Sequence, residues 1–364
     1  MAEALKEMFN KKFYEQFAFE FNKVDKNFHP EKFVKEVTKG IEQLSLNQRM
    51  RNTSIVLKKQ LPSDYKKSIE LLFETIPNLK NNYTSLVFPD FVGLYGHDDF
   101  DLSMEALKYF TQFGSSEFAV REFLIRDFNK TIKEMNKWAD DKNYHVRRLS
   151  SEGSRPRLPW SFKLDEVIKN PKITQSILEK LRSDDELYVR KSVANHLNDI
   201  SKDNTKWMLN LLTTWDKTNV NTQWIIKHAS RTLIKKGNLK SLSLFNFEKN
   251  VKINIDNFKL NKSKIKLGED LQFELDIISK KSKSQKLVID FAVHYIKKSG
   301  ELSPKVFKLK ELELQANQSI HIIKKHRFQN FTTRKHYSGK HFIEILVNGK
   351  PIQKKQFELI VTDK

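Results

Sequence analysis

The period of the hydrophobic pattern changes once along this chain, from helical spacing to strict alternation, and one layer architecture does not accommodate both halves. From residue 1 to about 240 the apolar positions follow a helix: Leu5, Met8, Phe9, Phe13, Phe17 and Phe21 run down one early face. His29-Pro30-Glu31 opens another helix, with Pro30 suited to its first turn. Ser183-Asp184-Asp185-Glu186 reads as a capping box before Leu187-Tyr188-Val189-Arg190. After about Phe245 the period becomes two, as in Val251-Lys252-Ile253-Asn254-Ile255, Leu271-Gln272-Phe273-Glu274-Leu275 and His341-Phe342-Ile343-Glu344-Ile345. Leu267-Gly268-Glu269, Lys298-Ser299-Gly300 and Asn348-Gly349-Lys350 are turn signals between such segments. Roughly seven of them suit an antiparallel immunoglobulin-like sandwich. The expectation is a multidomain chain, all-α over residues 1–244 and all-β over residues 245–364.

Charge favours a polyanionic partner. The 364 residues carry 66 Lys plus Arg against 45 Asp plus Glu, a net +21. The segment from Phe245 to Lys364 holds 25 of those bases and 13 of the acids, so the smaller domain has the larger surplus. A surplus of this kind attracts nucleic acid through phosphate contacts and counterion release, and it equally decorates the surfaces of Lys-rich proteomes.

Several chemistries are excluded. With no cysteine there are no disulfides, thiolate metal sites or Cys nucleophiles. Neither G-x-x-x-x-G-K-[ST] nor G-x-G-x-x-G occurs, and none of the 10 histidines forms H-E-x-x-H, so neither a cofactor nor a metal is expected. No apolar run is long enough to span a membrane. The opening Met1-Ala2-Glu3-Ala4-Leu5-Lys6 lacks a secretory pattern. The cytosol of a cell is the expected compartment.

Within the helical half, Asp141-Lys142-Asn143-Tyr144-His145-Val146-Arg147 is echoed 43 residues later by Asp184-Asp185-Glu186-Leu187-Tyr188-Val189-Arg190. Phe118-Ala119-Val120-Arg121 is a weaker third copy. An acid, a short gap, then Val-Arg opening a helix is how HEAT-type repeats begin their second helix, and the spacing lies in their range. Such repeats stack into a solenoid whose concave face holds an extended partner. The Val packs the core, and the Arg ties neighbouring repeats or, at the surface, meets the partner.

Two carboxylates break local rules. Glu152, in Leu149-Ser150-Ser151-Glu152-Gly153, falls in the last turn of a short helix, at the negative end of its dipole. Gly153 and Arg155-Pro156-Arg157-Leu158-Pro159 stop that helix. Asp199 sits similarly, near the end of the helix carrying Val189 to Leu197. Arg147, Arg148, Arg155 and Arg157 bracket Glu152, either as its ion-pair partners or as bidentate phosphate contacts. Trp160 follows two prolines on a loop, placed to lie against a deoxyribose or a cationic base, or to anchor the loop.

The segment His145-Val146-Arg147-Arg148-Leu149-Ser150-Ser151-Glu152-Gly153-Ser154-Arg155-Pro156-Arg157-Leu158-Pro159-Trp160 closely resembles the signature of the AlkC branch of the AlkC/AlkD alkylpurine DNA glycosylases. Arg126-Asp127-Phe128, Val189-Arg190-Lys191-Ser192-Val193-Ala194-Asn195-His196-Leu197-Asn198-Asp199 and His228-Ala229-Ser230-Arg231-Thr232-Leu233 extend the resemblance over most of residues 1–240. Some members of that branch carry an appended immunoglobulin-like domain.

The resemblance implies a HEAT-like solenoid cradling duplex DNA, acting as a monomer, and removal of N3-methyladenine or related cationic lesions. It implies Glu152 and Asp199 near the lesion's deoxyribose and Trp160 against the sugar. Glu122 is the candidate third acid, although the family pattern shows Pro at or near Glu122-Phe123. Arg147, Arg148, Arg155, Arg157 and Arg190 are the expected DNA contacts of this half.

These residues suit the reaction. Alkylation at N3 or N7 makes the purine a cation, so breaking the glycosidic bond releases a neutral base without a general acid. Carboxylates then stabilise the oxocarbenium-like sugar and position water. No lysine nucleophile is needed, which argues for base release without strand scission. In the second half, Phe331-Thr332-Thr333-Arg334-Lys335-His336-Tyr337-Ser338-Gly339-Lys340-His341 reads as a basic hairpin tip, with Arg334, Lys335, His336 and Lys340 as DNA contacts. The alternative to the enzyme is a non-catalytic HEAT-repeat DNA-binding or damage-recognition protein with the same basic face.

Overall fold

The computed structural model describes residues 5–331 and 334–361. Met1 to Ala4, part of the N-terminal reading, and Thr332 and Thr333 of the expected hairpin tip lie outside the described residues. The chain divides into two compact units, between Ala229 and Ser230.

The first unit is helical. Its α-helices are α1 (Lys11–Val24), α2 (Pro30–Thr38), α3 (Leu46–Lys58), α4 (Tyr65–Thr75), α5 (Val87–Tyr95), α6 (Phe100–Phe110) and α7 (Ala119–Arg126). They continue with α8 (Phe128–Trp138), α9 (Tyr144–Gly153), α10 (Asp165–Lys169), α11 (Gln175–Lys180), α12 (Leu187–Ile200), α13 (Thr205–Thr214) and α14 (Val220–Ala229). Short polar side chains start many of them. Asn10, Asp64, Asp127 and Asn143 each accept a hydrogen bond from a backbone N–H of the first turn, and Pro30 occupies the first turn of α2 as expected.

Alternate helices pack in series, α3 on α5 on α7 and α9 on α12 on α14, the stacking that the Val-Arg echoes imply. Val120, Val146 and Val189 are all fully buried in this stack. A phenylalanine cluster fills the beginning of the unit, with Phe17, Phe21, Phe28, Phe33 and Phe88 buried and in ring contact. The capping box expected at Ser183 to Glu186 does not form. Glu186 is the N-cap of α12 without a side-chain cap bond, because the Asp184 carboxylate accepts from the Glu186 N–H and from Arg147 instead.

The second unit begins with α15 (Arg231–Lys235) and α16 (Leu239–Ser243) and continues with eight strands among the described residues. These are β1 (Ile253–Leu260), β2 (Lys264–Lys266), β3 (Asp270–Ser279), β4 (Gln285–Ile296), β5 (Leu302–Leu314), β6 (Ser319–Arg327), β7 (Gly339–Val347) and β8 (Lys350–Ile360). They form sheets of order β1-β3-β6 and β2-β8-β7-β4-β5, antiparallel except for β2 against β8. Alternation places Leu271, Phe273, Leu275 and Ile277 of β3 in the core opposite Leu287, Ile289, Phe291 and Val293 of β4. Asn348-Gly349, both with positive φ (50° and 75°), make the tight β7–β8 turn.

Helix gives way to strand near the expected position, but the compact unit starts earlier. Ile234 and Leu242, from the two short helices, form an apolar cluster with Phe247 and Val288, so α15 and α16 belong with the sandwich and not with the helical stack.

Candidate active site

Helix α9 is short because both its ends are fixed locally. The Asn143 side chain accepts from the His145 N–H at its start, and the Ser154 hydroxyl donates to the Ser150 carbonyl at its end. Gly153 closes this helix without a positive φ. A Cβ there would lie 2.6 Å from Val120 Cγ1 and 3.0 Å from Met135 Cε, so the glycine serves close approach between neighbouring helices. Glu152 is consequently in the last turn, as expected, and only 5% exposed.

Arg155 joins the two singled-out carboxylates. Its Nη1 donates to Glu152 Oε1 at 2.5 Å, its Nε donates to Asp199 Oδ2 at 2.8 Å, and its Nη2 lies 2.7 Å from that same oxygen. Asp199, in the last turn of α12, is 3% exposed and also accepts from Lys202 Nζ at 2.8 Å. Burial pushes the Glu152 carboxyl up, but the Arg148 and Arg155 guanidinium groups outweigh it and hold the acid below its ordinary value, so it is an anion at neutral pH. The same balance, reversed, raises Arg155: burial disfavours its charge, and Glu152 and Asp199 more than restore it.

The network extends to an acid that reading the sequence missed. Arg148 lies 3.5 Å from Glu152 Oε1, and its Nη1 donates to Glu117 and to the Ser115 hydroxyl, with the Tyr188 ring 4.9 Å from the guanidinium carbon. Glu117, Arg148, Glu152, Arg155, Asp199 and Lys202 therefore alternate in sign along one continuous line. The available signal was the repeat itself, since Glu117 is the acid preceding the Val120-Arg121 echo.

Arg121, fully buried, hangs the loop after α9 from α7. It donates to the carbonyls of Gly153 (2.9 Å), Arg155 (2.8 Å) and Phe162, and its guanidinium carbon lies 4.9 Å from the centre of the Phe162 ring. This loop carries Trp160, which is 60% exposed and has a φ of 64°, the left-handed region that side chains other than glycine seldom adopt. Trp160 and Glu122 line one cleft of about 620 Å³ together with Arg51, Asp90 and Phe162. Glu152 and Asp199 are not among the residues lining that cleft.

The other expected contacts fall into two groups. Arg147 makes a two-pronged pair with Asp184 (2.6 and 3.1 Å), Arg157 does the same with Asp203 (2.8 Å twice), and Arg190 caps the carbonyls of Asp184 and Asp185. These geometries give Arg147 and Arg190 the repeat-tying role. In the sandwich the expected basic hairpin tip is not a hairpin: the stretch leads from β6 in one sheet to β7 in the other, with Lys340 already in β7, because the two strands pair with different neighbours. Lys335 and Lys340 are exposed, and Arg334 lies 4.0 Å over the Tyr295 ring. His336 departs from expectation: it is 4% exposed, packs against Tyr295 and Phe328, and is bonded through Nε2 to the Gln329 carbonyl, so its ring faces the core. Among the described residues no cluster of His, Cys, Asp and Glu could hold a metal, and no helix is long and apolar enough to cross a membrane.

Residues 106–233 match a family described as "DNA alkylation repair enzyme", and residues 254–361 match the "C-terminal Ig-like domain" of a family of uncharacterised YhaZ proteins. The fold is similar to that of the Pseudomonas fluorescens alkylpurine DNA glycosylase AlkC, solved bound to DNA containing an abasic site analog. The TM-score is 0.94 and the identity 45%, covering 98% of this chain and 99% of that one. The chain is also 38% identical over 347 residues to the uncharacterized protein YhaZ of Bacillus subtilis (strain 168), covering 95% and 96% of the two.

Proposed function

The chain belongs to the AlkC family of alkylpurine DNA glycosylases, and on that premise we propose that it hydrolyses the N-glycosidic bond of cationic alkylated bases of the N3-methyladenine type in duplex DNA, leaving an abasic site. The observation that carries this reading is the pair of buried carboxylates, Glu152 and Asp199, aligned by Arg155 beside the loop that presents Trp160.

The lesion supplies its own driving force, because a cationic purine departs neutral. What the protein adds is a preorganised negative charge for the sugar that becomes cationic as the bond breaks. Carboxylates at 5% and 3% exposure act in a medium of low dielectric, where they stabilise such a charge more than water does. Arg155 fixes their orientation, so little reorganisation accompanies the reaction. One of the two acids holds the attacking water; Glu122, the candidate third acid, stands in the cleft beside Trp160, which neither of them lines. Lys202 donates to Asp199 Oδ1, an arrangement that works against its use as an amine nucleophile and favours base release without strand scission.

Lys335, Lys340 and Arg334 of the sandwich, with Arg157, are assigned to the DNA backbone, whereas Arg148 and Arg155 are committed to the buried acids; the chain acts as a monomer in the bacterial cytosol at the nucleoid. Chromatography of bases freed from methylated duplex DNA tests the reading. Release of N3-methyladenine by the parent and not by Glu152→Gln supports it. Tight DNA binding without release by either protein leaves the non-catalytic damage-binding reading in its place.

A further inference from the structure

Helix α9 ends in the interior, and the carbonyls of its last turn need donors beyond the helical ladder. The Ser150 carbonyl accepts from the Ser154 hydroxyl, the Glu152 carbonyl from the Arg155 N–H at 3.3 Å, and the Gly153 carbonyl from Arg121. The Ser151 carbonyl, next to Glu152 in the chain, accepts from a ring on another helix: Nδ1 of His196, in α12, donates to it at 2.9 Å.

His196 is fully buried, and burial, then the Arg155 charge, keeps its ring neutral at neutral pH. A neutral imidazole carries one N–H, and a carbonyl only accepts, so Nδ1 holds the proton. Nε2 is left as an acceptor for the Thr174 hydroxyl, 3.3 Å away, which also lies 3.2 Å from the Pro171 carbonyl. The firm bond is the one to Ser151. A leucine or phenylalanine would fill a core position without desolvating a polar ring, so the donor is what this position gains from histidine.

The bond joins the two turns that carry the acids. Ser151 precedes Glu152, and His196 stands three residues before Asp199, on the face of α12 turned to α9. Arg155 also links the acids, but a guanidinium on a long side chain follows whichever carboxylate moves. A planar ring bonded to the main chain sets where the turn itself lies. Because Glu152 is buried beside Arg148 and Arg155, a displaced turn changes its distance from both cations.

We propose that His196 is a positioning residue for base excision: through the Ser151 carbonyl it fixes the last turn of α9, and with it Glu152, against the turn of α12 that carries Asp199. Its effect on rate rests on the glycosylase reading; the fixing of Glu152 rests on the geometry alone.

Two amide variants of the full chain test the proposal. In His196→Asn the amide nitrogen falls near the place of Nδ1 and keeps a donor for Ser151, whereas in His196→Gln it falls near Nε2 and does not. Single-turnover base release from methylated duplex DNA should stay within about threefold of the parent for His196→Asn and slow by about 10–100-fold for His196→Gln. DNA affinity should stay within about twofold for both. Should His196→Gln fail to fold, His196→Phe, which keeps a planar ring without a donor, takes its place. Carbon-13 NMR of the Glu152 carboxylate reads the position without turnover: it should titrate higher in His196→Gln than in the parent and return in His196→Asn. Parental release by His196→Gln, equal losses from the two amides, or an unmoved Glu152 titration overturns the proposal. A titration that moves in this pattern while the parent releases no base keeps the positioning role and removes the enzyme; release by the parent with an unmoved titration removes the role and leaves the enzyme.

Discussion

Glu152 and Asp199, the last-turn acids of α9 and α12, are joined through one guanidinium, that of Arg155. A buried cation shared in this way is a structural commitment. Its removal takes the nearest cation from both buried acids, leaving Glu152 only Arg148 at 3.5 Å and Asp199 only Lys202, and breaking buried pairs of this kind costs about 3–5 kcal/mol. Arg155→Met is expected to lower the unfolding free energy of the full chain by about that amount, measured by urea titration, and Arg155→Lys by less. A loss under about 1 kcal/mol means that water reaches both acids and that the site is more open than its exposure indicates.

The two carboxylates should matter to rate far more than to affinity. Glu152→Gln and Asp199→Asn keep the shape of each side chain and remove its charge. Each is expected to slow base release by about 10²–10³, the magnitude of losing one preorganised electrostatic group. Anisotropy titration with duplex DNA should stay within about twofold of the parent. Equal losses in both assays would place the acids in binding and not in chemistry.

Trp160 gives a prediction of opposite signs. Its φ of 64° is strained for tryptophan and unstrained for glycine. Trp160→Gly should therefore leave stability unchanged or raise it by about 1 kcal/mol while reducing base release. A fall in both would show that the ring anchors the loop, a task the geometry gives to Arg121.

Acid should loosen both units through buried histidines. His196 is fully buried, with Nδ1 donating to the Ser151 carbonyl at 2.9 Å; burial, then the Arg155 charge, pushes it down to about 3. His326 of the sandwich is pushed down to about 4, mainly by burial and then by the His336 charge. Both are neutral in the fold and charge on unfolding. Their stabilising contribution is complete above the ordinary value of 6.5 and is lost as pH falls from there through 4 and towards 3. Each should cost about 1.4 kcal/mol per pH unit in that window. Thermal melts from neutral pH downwards should decline, and His326→Phe should flatten the decline of the sandwich. A pH-independent melt over this range would rule out neutral burial of these rings.

The sandwich lysines are testable by salt. If Lys335 and Lys340 each neutralise a phosphate, the double alanine variant should lower the slope of log affinity against log salt by about 2. An unchanged slope would remove the β6–β7 connection from the DNA interface.

The architecture was legible because periodicity reports burial directly: Leu271, Phe273 and Leu275 alternate, and Val120, Val146 and Val189 recur at the repeat. The last-turn placement of Glu152 and Asp199 was legible from the breaks that follow them in the sequence, and it singled them out because an acid at a helix C-terminus conflicts with the dipole. Glu117 was not, since an acid just before a helix agrees with the dipole and raises no flag. Nor was the burial of His336: a basic stretch reads as surface, and only the packing of Tyr295 and Phe328 turns that ring inward. The boundary at Ser230 escaped for a similar reason, because a helix has the same period whichever neighbour it packs on.

Arg121 grips the segment around Trp160 by three main-chain oxygens, those of Gly153, Arg155 and Phe162. Carbonyls are common to every amino acid, so this grip does not depend on which side chains the segment displays. The path of the loop and its chemistry are thereby uncoupled. Residues such as Ser161 and Lys163 can be exchanged while the turn around them persists, since none of the three bonds that hold it passes through their side chains.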